Sequence, residues 1–166
     1  MPYRSLILFV CSGNICRSPM AEYILRDLVK KAGDGQRLQV ASAGTLDLVG
    51  EPAATYAQQL LIEDGIDMSA HRSRGLDQQT IDEAELILVM TRMHRHDILM
   101  RFMRAQTKVY LLSEMVGKRF EIRDPYNGSA QEYAYCKGEI EDILTRGYDR
   151  VRDLALGLID LKRRRR

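Results

Sequence analysis

The sequence is poor in cysteine and has no long apolar run. Three cysteines among 166 residues, at positions 11, 16 and 136, are too few for a disulfide framework. No segment approaches the roughly 18 apolar residues of a membrane span. The apolar run at residues 6–10 is also too short for the hydrophobic part of a signal peptide. We therefore expect a cytoplasmic location, reduced thiols and no membrane partner.

The sequence also lacks a large excess of either charge. The formal net charge is +2 and residues 162–166 alone carry +5, so the rest of the chain carries about −3. A body with this balance has no general basic surface of the kind that nucleic-acid binders use, and we expect no nucleic-acid partner. We assign residues 1–158 to one domain and residues 159–166 to a basic tail. We favour a solvated end for this tail over contact with nucleic acid, an acidic partner or a membrane surface.

Short apolar runs alternate with stretches of helical periodicity. The predicted strands are residues 6–10, 38–44, 86–90 and 108–112, and the predicted helices are residues 18–31, 52–65, the stretch after the third strand to about residue 103, and 130–158. Continuous apolar strands between helices are typical of a parallel sheet covered on both faces. We predict a single α/β domain with a four-stranded parallel sheet. Ligands bind such sheets at the carboxyl ends of the strands.

The segment CSGNICRSP, residues 11–19, separates the first strand from the first helix. Gly13 and Asn14 tolerate a positive φ, which lets successive backbone N–H groups converge on an anion. Ser18 is typical of an N-cap and Pro19 of a first helical position, so the positive end of a helix follows the turn. The pattern predicts a phosphate-binding loop directly after the first strand.

Three side chains of this loop have the chemistry to act on a bound phosphoryl group. A thiol at Cys11 would be held as a thiolate by the surrounding N–H groups, and a thiolate can attack phosphorus. Arg17 offers a planar fork to two phosphate oxygens, which a lysine cannot reproduce. The hydroxyl of Ser18 can donate to the sulfur and ease its departure as a leaving group.

The Cys-x5-Arg-Ser signature and several further stretches resemble the low molecular weight protein tyrosine phosphatase family. The further stretches are ASAGT at 41–45, GIDMSAHRSR at 65–74, LILVMTRMH at 86–94 and DPY at 124–126. The resemblance covers nearly the whole chain apart from the arginine tail. It implies a phosphatase that acts on phosphorylated protein through a thiophosphate intermediate, without a cofactor or a metal.

The resemblance also implies roles for residues at matching positions. Cys11 would be the nucleophile, Arg17 would bind the phosphate in the transition state, and Asp124 would be the general acid and then the general base. Tyr126 would form an aromatic wall for the substrate ring. The residues implied to surround the phosphate are Ser12, Gly13, Asn14, Ile15, Cys16 and Ser18. The residues implied to hold the loop in its strained geometry are Asn14, Ser18, Ser42 and His71.

The remaining cysteines and histidines are interpreted from their local pattern. Cys16 lies close enough to Cys11 in the chain to trap an oxidised Cys11 as a disulfide, and we favour this protective role over an inert thiol. Cys136 falls on the apolar stripe of the last predicted helix, which indicates core packing. His94 and His96 are predicted to lie on a helix surface.

Two other activities occur on the scaffold that this sequence resembles. Thioredoxin-coupled arsenate reductases need a further redox cysteine pair, which residues 76–90 lack. Protein arginine phosphatases stay open as the alternative; in that branch a threonine stands at the position of Ile15. Ile15 and Tyr126 favour a phenyl ring over a guanidinium, so we expect phosphotyrosine as the substrate. Leu48 lies where many eukaryotic members carry an aromatic residue, which leaves one aromatic wall.

Overall fold

The centre of the fold is a strand whose seven residues are all buried. In the computed structural model, which describes residues 3–162, this strand is β1 (Ser5–Cys11), with the sequence SLILFVC. Its neighbours are β2 (Leu38–Gly44) and β3 (Ala84–Val89), and β4 (Val109–Leu111) pairs with β3. All pairings are parallel, in the order β2-β1-β3-β4, which confirms the predicted four-stranded parallel sheet.

Alternate residues of β1 enter two separate apolar cores. Ile7 and Phe9 lie in one core, and Leu8 and Val10 lie in the other. The helices are α1 (Arg17–Ala32), α2 (Thr55–Glu63), α3 (Gln78–Glu83), α4 (Arg92–Arg101), α5 (Ala130–Arg146) and α6 (Tyr148–Ala155), with short 3-10 turns at Met103–Thr107 and Leu112–Val116. Side chains of α1, α2, α5 and α6 fill the first core, and those of α3 and α4 fill the second. Helices therefore cover both faces of the sheet, as predicted.

The long helix predicted over residues 130–158 is wrong, because the structure divides it at Gly147. A Cβ at Gly147 would lie 2.8 Å from the carbonyl oxygens of both Ile143 and Met115. The chain turns at this close contact and starts α6 one residue later. The short helix α3 was not predicted, because six residues are too few to show a helical period. The other boundaries differ by a few residues.

The predicted N-cap of the first helix is also wrong. The helix begins at Arg17 with Cys16 as its N-cap residue, and no side chain caps it. Pro19 is accordingly its third residue, where the missing N–H costs nothing because the first N–H groups of a helix have no partner within it. The hydroxyl of Ser18 is left available for the loop that precedes the helix.

The described part of the predicted tail lies against the body of the protein. Leu161 packs on the first core, and the Nζ of Lys162 lies 5.0 Å from the centroid of the Tyr110 ring. Residues 163–166 lie outside the described residues, and the domain boundary at residue 158 stays a prediction. Within residues 3–162, no helix has the length and apolar character needed to cross a bilayer.

The carboxyl ends of β1 and β2 meet at a close backbone contact. Cys11 pairs with Gly44 in register. A Cβ added to Gly44 would lie 2.5 Å from the carbonyl oxygen of Ser12 and 3.2 Å from the backbone nitrogen of Asn14. The segment that follows β1 therefore lies directly against Gly44, and a side chain at this position would displace the segment.

We expect Gly44→Ala to lower the free energy of unfolding by about 1–3 kcal/mol, because the methyl group overpacks the contact with the segment after β1. Gly138→Ala is the matched control, since nothing lies within 4 Å of a Cβ at that position in α5. The control is expected to raise stability by up to about 1 kcal/mol, the usual preference for alanine in a helix. Urea unfolding of the two variants measures both changes. A Gly44→Ala variant as stable as the parent would contradict the expected clash.

Candidate active site

The segment between β1 and α1 forms a loop whose carbonyl groups are bonded from outside. The carbonyl oxygens of Cys11, Ser12 and Ile15 accept hydrogen bonds of 2.8–3.0 Å. Their donors are the backbone N–H groups of Thr45, Leu46 and Ala54. Because the C=O and N–H of a trans peptide point in opposite directions, the adjoining N–H groups of the loop are directed to its other side. Together with the start of α1, this arrangement can bind an anion.

Asn14 lies at the centre of the loop in a left-handed conformation, with φ of 57°. Its side chain is fully buried, and its Nδ2 donates to the hydroxyls of Ser18 and Ser42, each at 2.9 Å. Its carbonyl oxygen lies 2.7 Å from Nε2 of His71. The structure thus brings together the four predicted scaffold residues. These contacts hold a backbone geometry that is unfavourable for a residue other than glycine.

Two charged residues that the sequence did not single out extend this network. The backbone N–H of Arg74 donates to Oδ1 of Asn14 at 3.1 Å, and its Nε donates to the carbonyl oxygen of Ser42 at 3.0 Å. The hydroxyl of Ser42 donates to buried Glu22, whose Oε2 also lies 4.0 Å from Nδ1 of His71. A carboxylate on the buried side of a helix was the signal that could have identified Glu22.

Cys11 is 2% exposed, and its Sγ lies 2.9 Å from the hydroxyl oxygen of Ser18. The amide of Asn14 can only donate to that hydroxyl, so the hydroxyl hydrogen remains free to be donated to the sulfur.

Arg17 and Asp124 meet beside the loop although 107 positions separate them in the sequence. One terminal nitrogen of the buried Arg17 guanidinium donates to the carbonyl oxygen of Ile122 at 2.9 Å. The other terminal nitrogen lies 3.3 Å from Oδ2 of Asp124, whose side chain is 46% exposed. The backbone N–H of Tyr126 donates to Oδ1 of Asp124 at 3.1 Å, which orients the carboxylate.

A cavity of about 240 Å³ joins these parts. Its lining residues are Cys11, Ser12, Gly13, Ile15, Cys16, Arg17, Leu46, Leu48, Asp124 and Tyr126. Its polar lining includes Cys11 and Arg17, and its apolar lining includes the side chains of Ile15 and Leu48 and the ring of Tyr126. Leu46 was not predicted; it follows the SAGT stretch in an irregular segment, where no periodicity marks a wall. The cavity can take a flat side chain that carries an anionic group.

The other two cysteines are buried thiols. Sγ of Cys16 lies 3.3 Å from the hydroxyl of Tyr133, and burial raises the Cys16 pKa to about 11. Burial likewise raises the pKa of Cys136 to about 12, and its side chain packs in the first core, as predicted. Both residues are therefore protonated at neutral pH. Within residues 3–162, no cluster of three or more histidine, cysteine or acidic side chains could hold a metal ion.

The prediction that His94 lies on a helix surface is wrong, whereas His96 is exposed as expected. His94 is 3% exposed, and its Nε2 lies 2.9 Å from the hydroxyl of Ser12 in the loop. Burial, and next the charge of Arg17, lower the His94 pKa to about 4, so the ring is neutral at pH 7. Helix α4 starts just after β3, beside the end of β1, so its first residues face the loop. The position of His94 directly after a predicted strand was the signal that could have identified it.

Comparison with known proteins places this site in a family. The model described as "Low molecular weight phosphotyrosine protein phosphatase" matches residues 6–153. A protein-arginine-phosphatase of Geobacillus stearothermophilus is 40% identical, over 88% of this chain and 94% of its own length. A low molecular weight protein-tyrosine-phosphatase of Acinetobacter johnsonii is 39% identical, over 72% of this chain and 79% of its own.

Solved structures that resemble this chain likewise include both an arginine phosphatase and a tyrosine phosphatase. The arginine phosphatase from Geobacillus stearothermophilus superimposes with a TM-score of 0.82 at 36% identity, covering 92% of this chain and 96% of that one. A low molecular weight protein tyrosine phosphatase from T. tengcongensis gives a TM-score of 0.84 at 31% identity, covering 88% and 99%.

We expect His94 to make stability depend on pH. Because its pKa falls from 6.5 to about 4 on folding, the unfolded chain binds more protons than the folded protein between these values. Its contribution is complete above pH 6.5 and declines by roughly 3 kcal/mol as the pH falls through 4. Urea unfolding at pH 7 and at pH 4.5 measures the stability that each protein loses on acidification. His94→Asn should lose less stability between these pH values than the parent. His96→Asn, a change at an exposed position of the same helix, should lose as much as the parent. Equal losses in all three proteins would contradict this assignment.

Proposed function

Because the chain belongs to the low molecular weight phosphotyrosine protein phosphatase family, we propose that it hydrolyses phosphotyrosine in proteins through a thiophosphate on Cys11. The observation that carries this proposal is the placement of the Cys11 thiol in an anion-binding loop, with Arg17 and Asp124 beside it. The proposed steps use no cofactor and no metal. The cytoplasmic location stays a prediction, and for the oligomeric state, which the sequence leaves open, we favour a monomer.

In the first proposed step the substrate binds with its phosphoryl group in the loop. The phosphoryl oxygens accept hydrogen bonds from the loop N–H groups, including those of Ser12, Gly13 and Cys16, and from the guanidinium of Arg17. The phenyl ring then lies between Tyr126 and the apolar side chains of Ile15 and Leu48.

The second proposed step transfers the phosphoryl group to the enzyme. The Cys11 thiolate attacks phosphorus, an S–P bond forms, and the P–O bond to the phenol oxygen breaks. Asp124, in its protonated form, gives its proton to the departing phenolate. Arg17 remains in contact with the phosphoryl oxygens, where negative charge accumulates.

The third proposed step releases inorganic phosphate. Asp124, now a carboxylate, takes a proton from a water molecule whose oxygen attacks phosphorus. The S–P bond breaks and the sulfur leaves as a thiolate, stabilised by the hydroxyl of Ser18 at 2.9 Å. Asn14 and His71 take no part in the bond changes and hold the loop in shape.

Protein arginine phosphatase activity is the second candidate, and a specific observation favours it. The relative from Geobacillus stearothermophilus that bears this name is 40% identical over 88% of this chain. The walls of the cavity favour phosphotyrosine, because Ile15 and Leu48 offer no polar atom to a guanidinium. Only a direct comparison of the two substrates separates the candidates.

Cys16 is proposed to protect the nucleophile from over-oxidation. Peroxide would convert the Cys11 thiolate to a sulfenic acid. The Cys16 thiol would then attack that sulfur, forming an S–S bond while the hydroxyl leaves as water with the thiol proton. Burial keeps Cys16 protonated, with a pKa of about 11, so it does not compete as a nucleophile for phosphate.

We expect the purified protein to hydrolyse a phosphotyrosine peptide faster than a phosphoarginine peptide of the same sequence, and Cys11→Ser to abolish both activities. Asp124→Asn should lower kcat/KM for phosphotyrosine by about 10²–10⁴, the usual contribution of a general acid. It should lower kcat/KM for p-nitrophenyl phosphate much less, because that leaving group departs without a proton. Ile15→Thr should shift the ratio of kcat/KM towards phosphoarginine.

Faster hydrolysis of phosphoarginine by the parent would move the protein to the second candidate function. Full activity of Cys11→Ser would refute both candidates, because both depend on that nucleophile. Equal effects of Asp124→Asn on the two phenyl phosphates would remove the assigned acid role.

Brief peroxide treatment should inactivate the parent reversibly, with activity restored by dithiothreitol. Cys16→Ser should be inactivated irreversibly under the same conditions, because the sulfenic acid at Cys11 proceeds to higher oxidation states. Cys136→Ser is the matched control, a change at the other buried thiol, and should recover like the parent. Mass spectrometry of the treated parent should find a Cys11–Cys16 disulfide. Full recovery of Cys16→Ser would contradict the protective role.

A further inference from the structure

A second cavity, of about 210 Å³, lies away from the residues that line the active site. It is formed by α4, by the turn that follows β4, by α6 and by residues 161–162. We call it the cationic cavity, and its lining residues are Arg95, Tyr110, Glu114, Gly117, Lys118, Arg119, Arg150, Leu161 and Lys162. Among these described residues, five are basic and one is acidic.

The one carboxylate in this lining is already engaged. Oε2 of Glu114 accepts a hydrogen bond of 2.8 Å from the backbone N–H of Leu111, and its Oε1 lies 3.6 Å from Nε of Arg119. Both oxygens therefore face partners within the protein. The positive charge of the other basic side chains is left without a matching carboxylate among the lining residues.

Two of these cations are positioned by uncharged groups. A terminal nitrogen of Arg150 donates to the carbonyl oxygen of Glu114 at 2.9 Å. Nζ of Lys162 donates to the carbonyl oxygen of Gln106 and lies over the Tyr110 ring. Burial, and next the charge of Arg95, lower the pKa of Lys162. Such contacts orient the cations and do not neutralise them, so an anion that entered would be attracted by several charges at once.

Arg95 is a lining residue whose guanidinium is not fully hydrogen-bonded within the protein. Its Nε is buried and has no hydrogen-bond acceptor among the described residues. A buried N–H without an acceptor costs about 1–3 kcal/mol, and such groups in folded proteins call for an explanation. Because Arg95 is half-buried and lines the cationic cavity, an anion there would be met by its terminal nitrogens, and not by Nε itself.

We propose that the cationic cavity is a second anion site, which binds a phosphoryl group or a similar tetrahedral oxyanion with the terminal nitrogens of Arg95 among its donors. The cavity is separate from the loop at Cys11, and this inference does not depend on the proposed catalytic activity. The phosphoryl group can come from free inorganic phosphate or from a phosphorylated side chain of a protein, and binding measurements distinguish the two sources.

The test follows the Nε–H signal of Arg95 by ¹H–¹⁵N NMR during titration with inorganic phosphate at constant ionic strength. The full chain carries Arg17→Met, which weakens phosphate binding at the active site and isolates the second site. The Arg95 signal should shift as phosphate is added and reach a plateau, while the Nε–H signal of exposed Arg104 should not shift. Absence of a shift, or a shift that does not saturate, would overturn the proposal.

Matched variants in the same Arg17→Met background give a second readout. Calorimetric affinity for phosphate should fall at least tenfold with Arg95→Gln and stay unchanged with Arg104→Gln, which removes an equal charge outside the cavity. Equal losses in the two variants would reveal a general charge effect and overturn the site. A phosphoserine peptide that binds more tightly than phosphate identifies a phosphorylated protein as the source, whereas weaker binding identifies free phosphate.

Discussion

The candidate active site depends on one residue, Asn14, which adopts a left-handed backbone conformation that is unfavourable for residues other than glycine. Its φ of 57° turns the loop so that the carbonyl groups are bonded from behind and the N–H groups lie on the other side. A left-handed residue costs of order 1–3 kcal/mol, and it persists only where its surroundings determine it. Here the buried amide of Asn14 donates to two hydroxyls and accepts one backbone N–H. The same hydrogen bonds fix Ser18, which then faces the sulfur of Cys11.

The parts that hold this loop come from distant positions in the chain, and the sheet is what brings them together. In a parallel sheet the carboxyl ends of all strands lie at one edge. The end of β2 supplies Ser42 and the close contact at Gly44, and the start of α4, just after β3, supplies His94. The long segment after β4 brings Asp124 to Arg17. The buried polar groups of the loop are satisfied by this convergence, and without it they would be left unpaired in a low-dielectric surrounding.

The strands, the loop and its principal residues could be predicted because each has a local signal in the sequence. Continuous apolar runs identify buried strands, and the Cys-x5-Arg-Ser spacing identifies the loop. Features set by contacts between distant segments could not be read in this way. The break at Gly147 arises from a close approach to the Met115 carbonyl, and the burial of His94 arises from the packing of α4 beside the loop. The cationic cavity likewise gathers side chains from separate elements, none of which forms a motif in the sequence.

In the proposed function, substrate choice depends on the side chains that form the cavity walls, among them Ile15 of the loop itself, and relatives with different named activities share the family. The guanidinium of phosphoarginine carries several N–H groups, and each needs an acceptor once it is removed from water. The cavity walls offer Ile15 and Leu48, which have none, and Asp124, whose carboxylate is required for proton transfer in the proposed mechanism. A phenyl ring makes no such demand and gains from contact with Tyr126. The cost of unpaired donors is therefore the physical reason to propose phosphotyrosine ahead of phosphoarginine, even though overall identity to an arginine phosphatase is as high as to a tyrosine phosphatase.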